Sequence, residues 1–125
     1  MNQTDPCPCG SEQDYQSCCA PYHEQRTRPD TPEALMRSRY SAFYLQLTDY
    51  LLSTWHASTR PAQLDLSDAP QWVKLQVISA SQKENKGSVH FRAFYKQAGD
   101  LQFMEEKSAF VQEQGQWFYL QGRVS

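Results

Sequence analysis

All four cysteines of the chain lie between Cys7 and Cys19, in the stretch CPCGSEQDYQSCC. The order is Cys-x-Cys, eight residues, then Cys-Cys. Thiols this close bridge poorly within a pair, yet they can point four sulfurs at one ion. A tetrahedral Zn(II) centre of four thiolates, with bonds of about 2.3 Å, has a closed shell and no place for a reacting water. The expectation is therefore one structural zinc ion held by Cys7, Cys9, Cys18 and Cys19. A redox-active thiol pair and a vicinal disulfide are the competing readings. His23 is a spare ligand or, with four cysteines already at hand, an exposed side chain.

A disulfide framework fits poorly. The opening MNQTDPCPCG has no basic n-region, apolar h-region or small-residue cleavage site, which places the thiols, by expectation, in the reducing cytosol. Bridges among these cysteines would tie a short leader and leave the rest of the chain unstapled. The leader has too few apolar residues to offset an ordering entropy of about 1–2 kcal/mol per residue. Zinc can offset it, contributing ~10–16 kcal/mol in small zinc peptides. Between the pairs, Gly10 can adopt a left-handed backbone and Ser11 can cap a short helical turn.

The elements that must position these residues follow from length and pattern. A chain of 125 residues supports one modest core beside the leader. Its formal net charge of −2 and pI near 5.9 argue against nucleic acid as a partner. Residues 1–25 carry Asp5, Glu12, Asp14 and Glu24 but no lysine or arginine, so the leader repels phosphate. No apolar run approaches the ~20 residues needed to span a bilayer.

Residues 22–30 read as a polar connector. Thr31 then offers a cap and Pro32 fits the first helical position. Met36, Tyr40, Phe43 and Leu47 form a helical stripe flanked by Leu35 and Tyr44, with Arg37, Ser38 and Ser41 off it. DYLLSTW reads as a second, shorter helix. From Trp72 the period becomes two, and WVKLQVISASQ, SVHFRAFYKQ, LQFMEEKSAFVQ and WFYLQGRV read as four strands joined by short turns. Helices followed by an antiparallel meander give an α+β fold with helices on one face of a curved sheet. In the second strand Val89, Phe91, Ala93 and Tyr95 share a face. In the third, Met104, Glu106, Ser108 and Phe110 oppose Phe103, Glu105, Lys107 and Val111, so either face carries an acid.

The cysteine spacing closely resembles the SEC-C motif, named for the zinc-binding C-terminal segment of the preprotein translocase ATPase. LMRSRYSAF, DYLLSTWH, EKSAF and GQWFYLQG, quoted in chain order, resemble the YchJ family of uncharacterised bacterial proteins. The resemblance covers nearly the whole chain. It implies a SEC-C motif over residues 1–25 and, over 26–125, a nuclear transport factor 2-like domain: a cone of helices wrapped by a curved sheet, with a further strand or edge that the pattern does not place. It implies zinc at the four cysteines, and Glu106, Ser108 and Phe110 pointing into the cone. It assigns no reaction. Two features depart from the family's pattern: no second SEC-C motif follows at the C-terminal end, and Glu12, Gln13 and Asp14 stand where many SEC-C loops have lysines. The second weighs against docking on ribosomal RNA or acidic lipid.

In such a cone, Arg37, Tyr40, Trp55, His56, Glu106, Ser108, Trp117 and Tyr119 could line one cavity. A buried carboxylate with a histidine would supply general acid–base groups. The plainer reading pairs Glu106 with Arg37 or Arg39 as a buried ion pair, makes the aromatics core, and leaves His56 at a helix end where its charge meets the dipole. No Gly-rich phosphate loop, nucleophile elbow or His-Glu-x-x-His is present. The leading expectation is a cytoplasmic zinc-binding protein whose SEC-C knuckle recognises a protein partner. The alternative is a small-molecule binder or enzyme using the cavity. A monomer or a weak homodimer through the open sheet face completes the expectations.

Overall fold

The computed structural model describes residues 3–124. After a single 3-10 turn at Tyr15–Ser17 come α1 (Ala20–His23), α2 (Pro32–Leu45) and α3 (Thr48–Ser53). The strands are β1 (Gln71–Lys83), β2 (Lys86–Gln97), β3 (Asp100–Glu113) and β4 (Gln116–Val124). Helix α2 starts where its cap predicts: Thr31 Oγ1 accepts the Ala34 N–H at 3.1 Å and Pro32 takes the first turn. It ends because Gln46 turns left-handed at φ 60.

The strands pair in sequence order as one antiparallel sheet, β1-β2-β3-β4. The last two hairpins close on Ala98-Gly99 and Gln114-Gly115, each with both turn residues at positive φ, the backbone that matches strand twist. Register shifts at Trp72/Lys74, Val77/Ser79 and Ala109/Phe110 bend the sheet. The further strand implied by the resemblance is absent among the described residues. In its place a single parallel bridge joins Trp55 to Tyr119, with Tyr119 N–H donating to Thr54 O at 2.8 Å and His56 N–H to Tyr119 O at 2.7 Å. It ties the end of α3 to β4.

Leu35, Met36 and Tyr40 of α2 pack on Leu75, Val89, Phe91, Ala93, Phe110 and Trp117 of the sheet. Each such large apolar side chain contributes roughly 1.5–3 kcal/mol on burial. The face assignment of β3 is now decided. Glu105 faces outward, where Arg92 Nε and His90 Nε2 bond its carboxylate at 2.8 and 2.6 Å, on the face where the rings of Phe94 and Phe103 meet at a tilt of 47°. Glu106 and Ser108 face the helices.

Helix α2 departs from the expected one-sided stripe. Ser38, Arg39 and Ser41 are as buried as its apolar residues. The cause is that the leader and α3 cover the flanks of the helix beyond its sheet-facing stripe. Ser38 Oγ bonds Leu35 O at 2.8 Å and Tyr50 Oη at 2.7 Å, and Arg39 Nη1 donates to Leu51 O and Thr54 Oγ1 at 2.8 and 2.7 Å. Polar groups can be buried there because each has a partner. Among the described residues no helix is long and apolar enough to cross a membrane.

Candidate functional site

The four cysteines converge because the leader folds back on itself. Cys7 N–H donates to Gln13 O at 2.9 Å, Gly10 turns at φ 82, and Pro6 bridges Asp14. The 3-10 turn then delivers Cys18, whose N–H bonds Tyr15 O at 3.1 Å, while Cys19 precedes α1. The sulfurs of Cys7, Cys9, Cys18 and Cys19 all lie within 4.8 Å of one another, an arrangement that can hold a metal ion. Cys9 to Cys18 is 3.6 Å and Cys18 to Cys19 is 3.9 Å, and all four are free thiols. Hydrogen bonds from Cys19 and Cys7 hold the Cys9 thiol far below its ordinary range, whereas burial pushes Cys18 up. A thiolate set this close repels itself unless a cation sits among the sulfurs, and thiols must be deprotonated to bind one.

Two expectations for the leader change. Ser11 caps nothing: its Oγ accepts the Gln13 N–H at 3.3 Å and lies 3.0 Å from Cys18 Sγ. His23 is neither ligand nor exposed. Tyr15 O–H donates to its Nδ1 at 2.6 Å and its Nε2–H donates to Ser38 O at 2.8 Å, so the ring bolts the leader to α2. Burial accordingly lowers its pKa, favouring the neutral ring. The leader docks further through Ser41, whose Oγ lies 3.4 Å from Cys19 Sγ and 3.5 Å from Cys7 Sγ. Arg37 Nη1 donates to Cys9 O at 2.8 Å, its Nε being held by Glu33 at 3.0 Å.

On the other side of α2 lies a cavity of about 260 Å³. Arg39, Tyr40, Trp55, Trp72, Glu106 and Tyr119 line it together with Ser108 and apolar side chains, among them Met36, Phe43 and Phe91. The Arg39 guanidinium sits 4.5 Å above the Tyr119 ring and 5.2 Å from that of Trp55. Burial lowers its pKa to about 10 and raises that of Tyr119 to about 12, so near neutrality one is charged and the other an intact phenol. Ser108 Oγ donates to Glu106 Oε2 at 2.5 Å. No salt bridge joins Glu106 to Arg37 or Arg39 among the described residues; the expected buried ion pair is not formed. The hydroxyl of Tyr40 and the indole N–H groups of Trp55 and Trp72 are buried without a hydrogen-bond partner among the described residues, as is the indole N–H of Trp117 away from the cavity.

The structure thus brings Tyr40, Trp55, Glu106, Ser108 and Tyr119 to one cavity and leaves Arg37, His56 and Trp117 elsewhere. Arg37 faces the leader. Trp117 is packed in the core at 2% exposure. His56 holds a surface loop: its Nδ1 accepts from Ser58 Oγ at 2.7 Å and its Nε2 donates to Glu113 at 2.9 Å. That serine–histidine–acid order resembles a hydrolytic relay, but Glu113 is 61% exposed and the Ser58 N–H also bonds Nδ1, as in a local turn. The acid–base pairing of Glu106 with His56 is not assembled. Sequence reasoning left Arg39 and Trp72 out of the cavity wall, naming Arg39 only as a candidate ion-pair partner of Glu106. Arg39 was legible, since 36, 39, 40 and 43 share one helical stripe.

Comparison with known proteins matches residues 31–122 to the YchJ middle NTF2-like domain and residues 4–21 to the SEC-C motif. A UPF0225 protein of Deinococcus radiodurans is 46% identical over 116 residues, covering 92% of this chain and 86% of that one. Another, from Polaromonas naphthalenivorans, is 42% identical, covering 95% and 97%. The solution structure of a SEC-C motif containing protein from Rhodopseudomonas palustris superposes with a TM-score of 0.87 at 32% identity, covering 95% of this chain and 98% of that one. A crystal structure of a SEC-C motif containing protein from Psychrobacter arcticus gives 0.84 at 29% identity, covering 98% and 84%. With the paired cysteines, the helix-then-meander order and these matches in agreement, the chain belongs to the YchJ family of UPF0225 proteins, a SEC-C motif followed by an NTF2-like domain.

Proposed function

We propose that this chain is a zinc-binding protein of the reducing cytosol whose NTF2-like cavity takes a small, largely apolar ligand. Zinc is favoured by the donor set: four thiolates at about 2.3 Å from one ion lie about 3.8 Å apart, and two of the sulfur separations are 3.6 and 3.9 Å. Such a shell is closed, so the ion would supply structure and no reaction step.

The observation that carries the ligand reading is a cavity walled mostly by apolar side chains and rings, Met36, Phe43 and Phe91 among them, with the Arg39 guanidinium, the Glu106 carboxylate and the Ser108 hydroxyl set into it. Ligand sites characteristically combine such an apolar lining with a few polar groups that fix orientation. At about 260 Å³ the space suits a ligand smaller than most drug-sized molecules.

A second reading, recognition of a protein through the knuckle, is favoured by a separate observation. Glu12, Gln13, Asp14 and Gln16 are all exposed on the leader and give it two negative charges. Its partner would present a basic surface.

A native mass spectrum of the chain purified from its host without chelator tests both. One zinc plus a retained small molecule supports the cavity reading. One zinc alone, with no small molecule taken up from a metabolite extract, overturns it and leaves the knuckle reading. A chain free of zinc overturns the metal assignment.

A further inference from the structure

Helix α2 carries two fully buried serines that treat their hydroxyls differently. Ser38 follows the usual habit of a helical serine, bonding back to Leu35 O at 2.8 Å, and also meets Tyr50 Oη. Ser41 does neither. Among the described residues its hydroxyl has only sulfur partners, Cys19 Sγ at 3.4 Å and Cys7 Sγ at 3.5 Å. A buried O–H of a core helix, at 0% exposure, is thus satisfied by the cysteine centre alone.

Charge gives the reason such a donor is useful. Four thiolates around a divalent cation carry a net charge of −2, and three of the four cysteines are buried, at 4% exposure or less. Water cannot solvate sulfurs so enclosed. Hydrogen bonds to coordinating sulfur must take its place, as outer groups commonly do at metal sites. Arg37 adds a positive charge from the same helix, fixed to Cys9 O at 2.8 Å.

We infer that Ser41 is a positioning residue of the metal centre: its single O–H proton is shared between the Cys19 and Cys7 sulfurs at 3.4 and 3.5 Å, so metal affinity belongs to the docked pair of motif and helix α2 and not to the motif alone. The inference rests on the four-cysteine centre binding zinc. Residues 4–21 supply the ligands, and the NTF2-like domain supplies the donor that makes a buried dianionic centre tolerable.

The test is metal affinity in Ser41→Ala, with Ser38→Ala as the control for a lost buried hydroxyl. Zinc affinity, measured on the full chain by competition with a chromophoric chelator, should fall about 10–100-fold in Ser41→Ala. It should stay within about twofold in Ser38→Ala. In the Co(II)-substituted chain, the sulfur-to-cobalt charge-transfer bands should shift in Ser41→Ala alone, a signature that general loosening of the fold would not produce. Equal affinity and unshifted bands would overturn the inference. If Ser41→Ala does not fold, the unmodified Cd(II)-loaded chain still decides. Its Ser41 hydroxyl proton should be protected from exchange and correlate with cadmium through sulfur. Exchange at the rate of a surface serine would overturn the inference. A chain that takes up none of these metals fails at the metal assignment, a result separate from either outcome for Ser41.

Discussion

The guanidinium carbon of Arg39 lies 4.5 Å from the centre of the Tyr119 ring, so that α2 and β4 meet through a cation and an aromatic face. The same group donates from Nη1 to Leu51 O and Thr54 Oγ1. One buried side chain therefore fastens α2 to α3 and to the sheet while forming part of the cavity wall.

Arg39→Lys keeps the charge but loses the planar fork that reaches two acceptors while stacking. Its expected cost is about 1–3 kcal/mol, read as a lower urea midpoint. A midpoint equal to that of the unmodified chain would show that the stack and the two bonds are dispensable.

Glu106→Gln should leave stability within about 1 kcal/mol of the unmodified chain, because no salt bridge holds the carboxylate and Ser108 can donate to an amide oxygen as well. Retention of the cavity ligand, followed by native mass spectrometry, should drop. Severe destabilisation with unchanged ligand retention would return Glu106 to a purely structural role.

Gly122 lies against the Glu106 carboxylate so closely that an added Cβ would collide with it. Gly122→Ala should therefore force the Glu106 side chain aside at a cost of about 1–3 kcal/mol. The check is thermal unfolding together with the same ligand assay. Unaltered values in both would mean that the carboxylate has room to move freely.

Replacing Cys18 and Cys19 together by Ser should release zinc. Because the leader is bolted to α2 through His23, Arg37 and Ser41, the loss should also lower Tm by roughly 10–20 °C, equivalent to about 2–4 kcal/mol. The far-UV circular dichroism of the sheet should persist. An unchanged Tm would make the knuckle an independent module, and a fully unfolded chain would make it the staple of the whole fold.

Glu105 supplies a pH dependence. Hydrogen bonds from Arg92 and then His90 hold its carboxyl below the ordinary 4.5. The folded-state pKa is depressed, so between the two values the unfolded chain binds the proton and the folded chain does not. The stabilisation is fully present above pH 4.5 and is lost as pH falls through the folded value. Urea midpoints of the zinc-loaded chain between about pH 3 and 6 should fall less steeply in Glu105→Gln. Parallel acid limbs would remove the outer-face cluster from the account.

Several elements and the cysteine centre were legible without coordinates because each is a local property. Cysteine spacing defines a ligand set, Thr31-Pro32 starts a helix, and alternation from Trp72 onward marks strands. These depend on residues a few positions apart, whose geometry backbone chemistry sets in advance. The alternating pattern even put Glu106 and Ser108 on a common face, leaving open only which face was buried.

Tertiary structure decided what depends on distant partners. Helix α2 is buried on two sides, and an apolar stripe records only one of them. The other side is covered by the small, cysteine-rich leader and by α3, and the residues facing them are polar: Ser41 reaches Cys7 and Cys19, and Ser38 reaches Tyr50. For the same reason Arg37 and Arg39, two positions apart on one helix, have opposite surroundings: the first clasps the leader and the second enters the cavity. The type and order of residues determined which groups this protein owns. Only packing across separations such as the thirty-four residues between Cys7 and Ser41 decided which of them meet, because a buried polar group goes wherever its partner is.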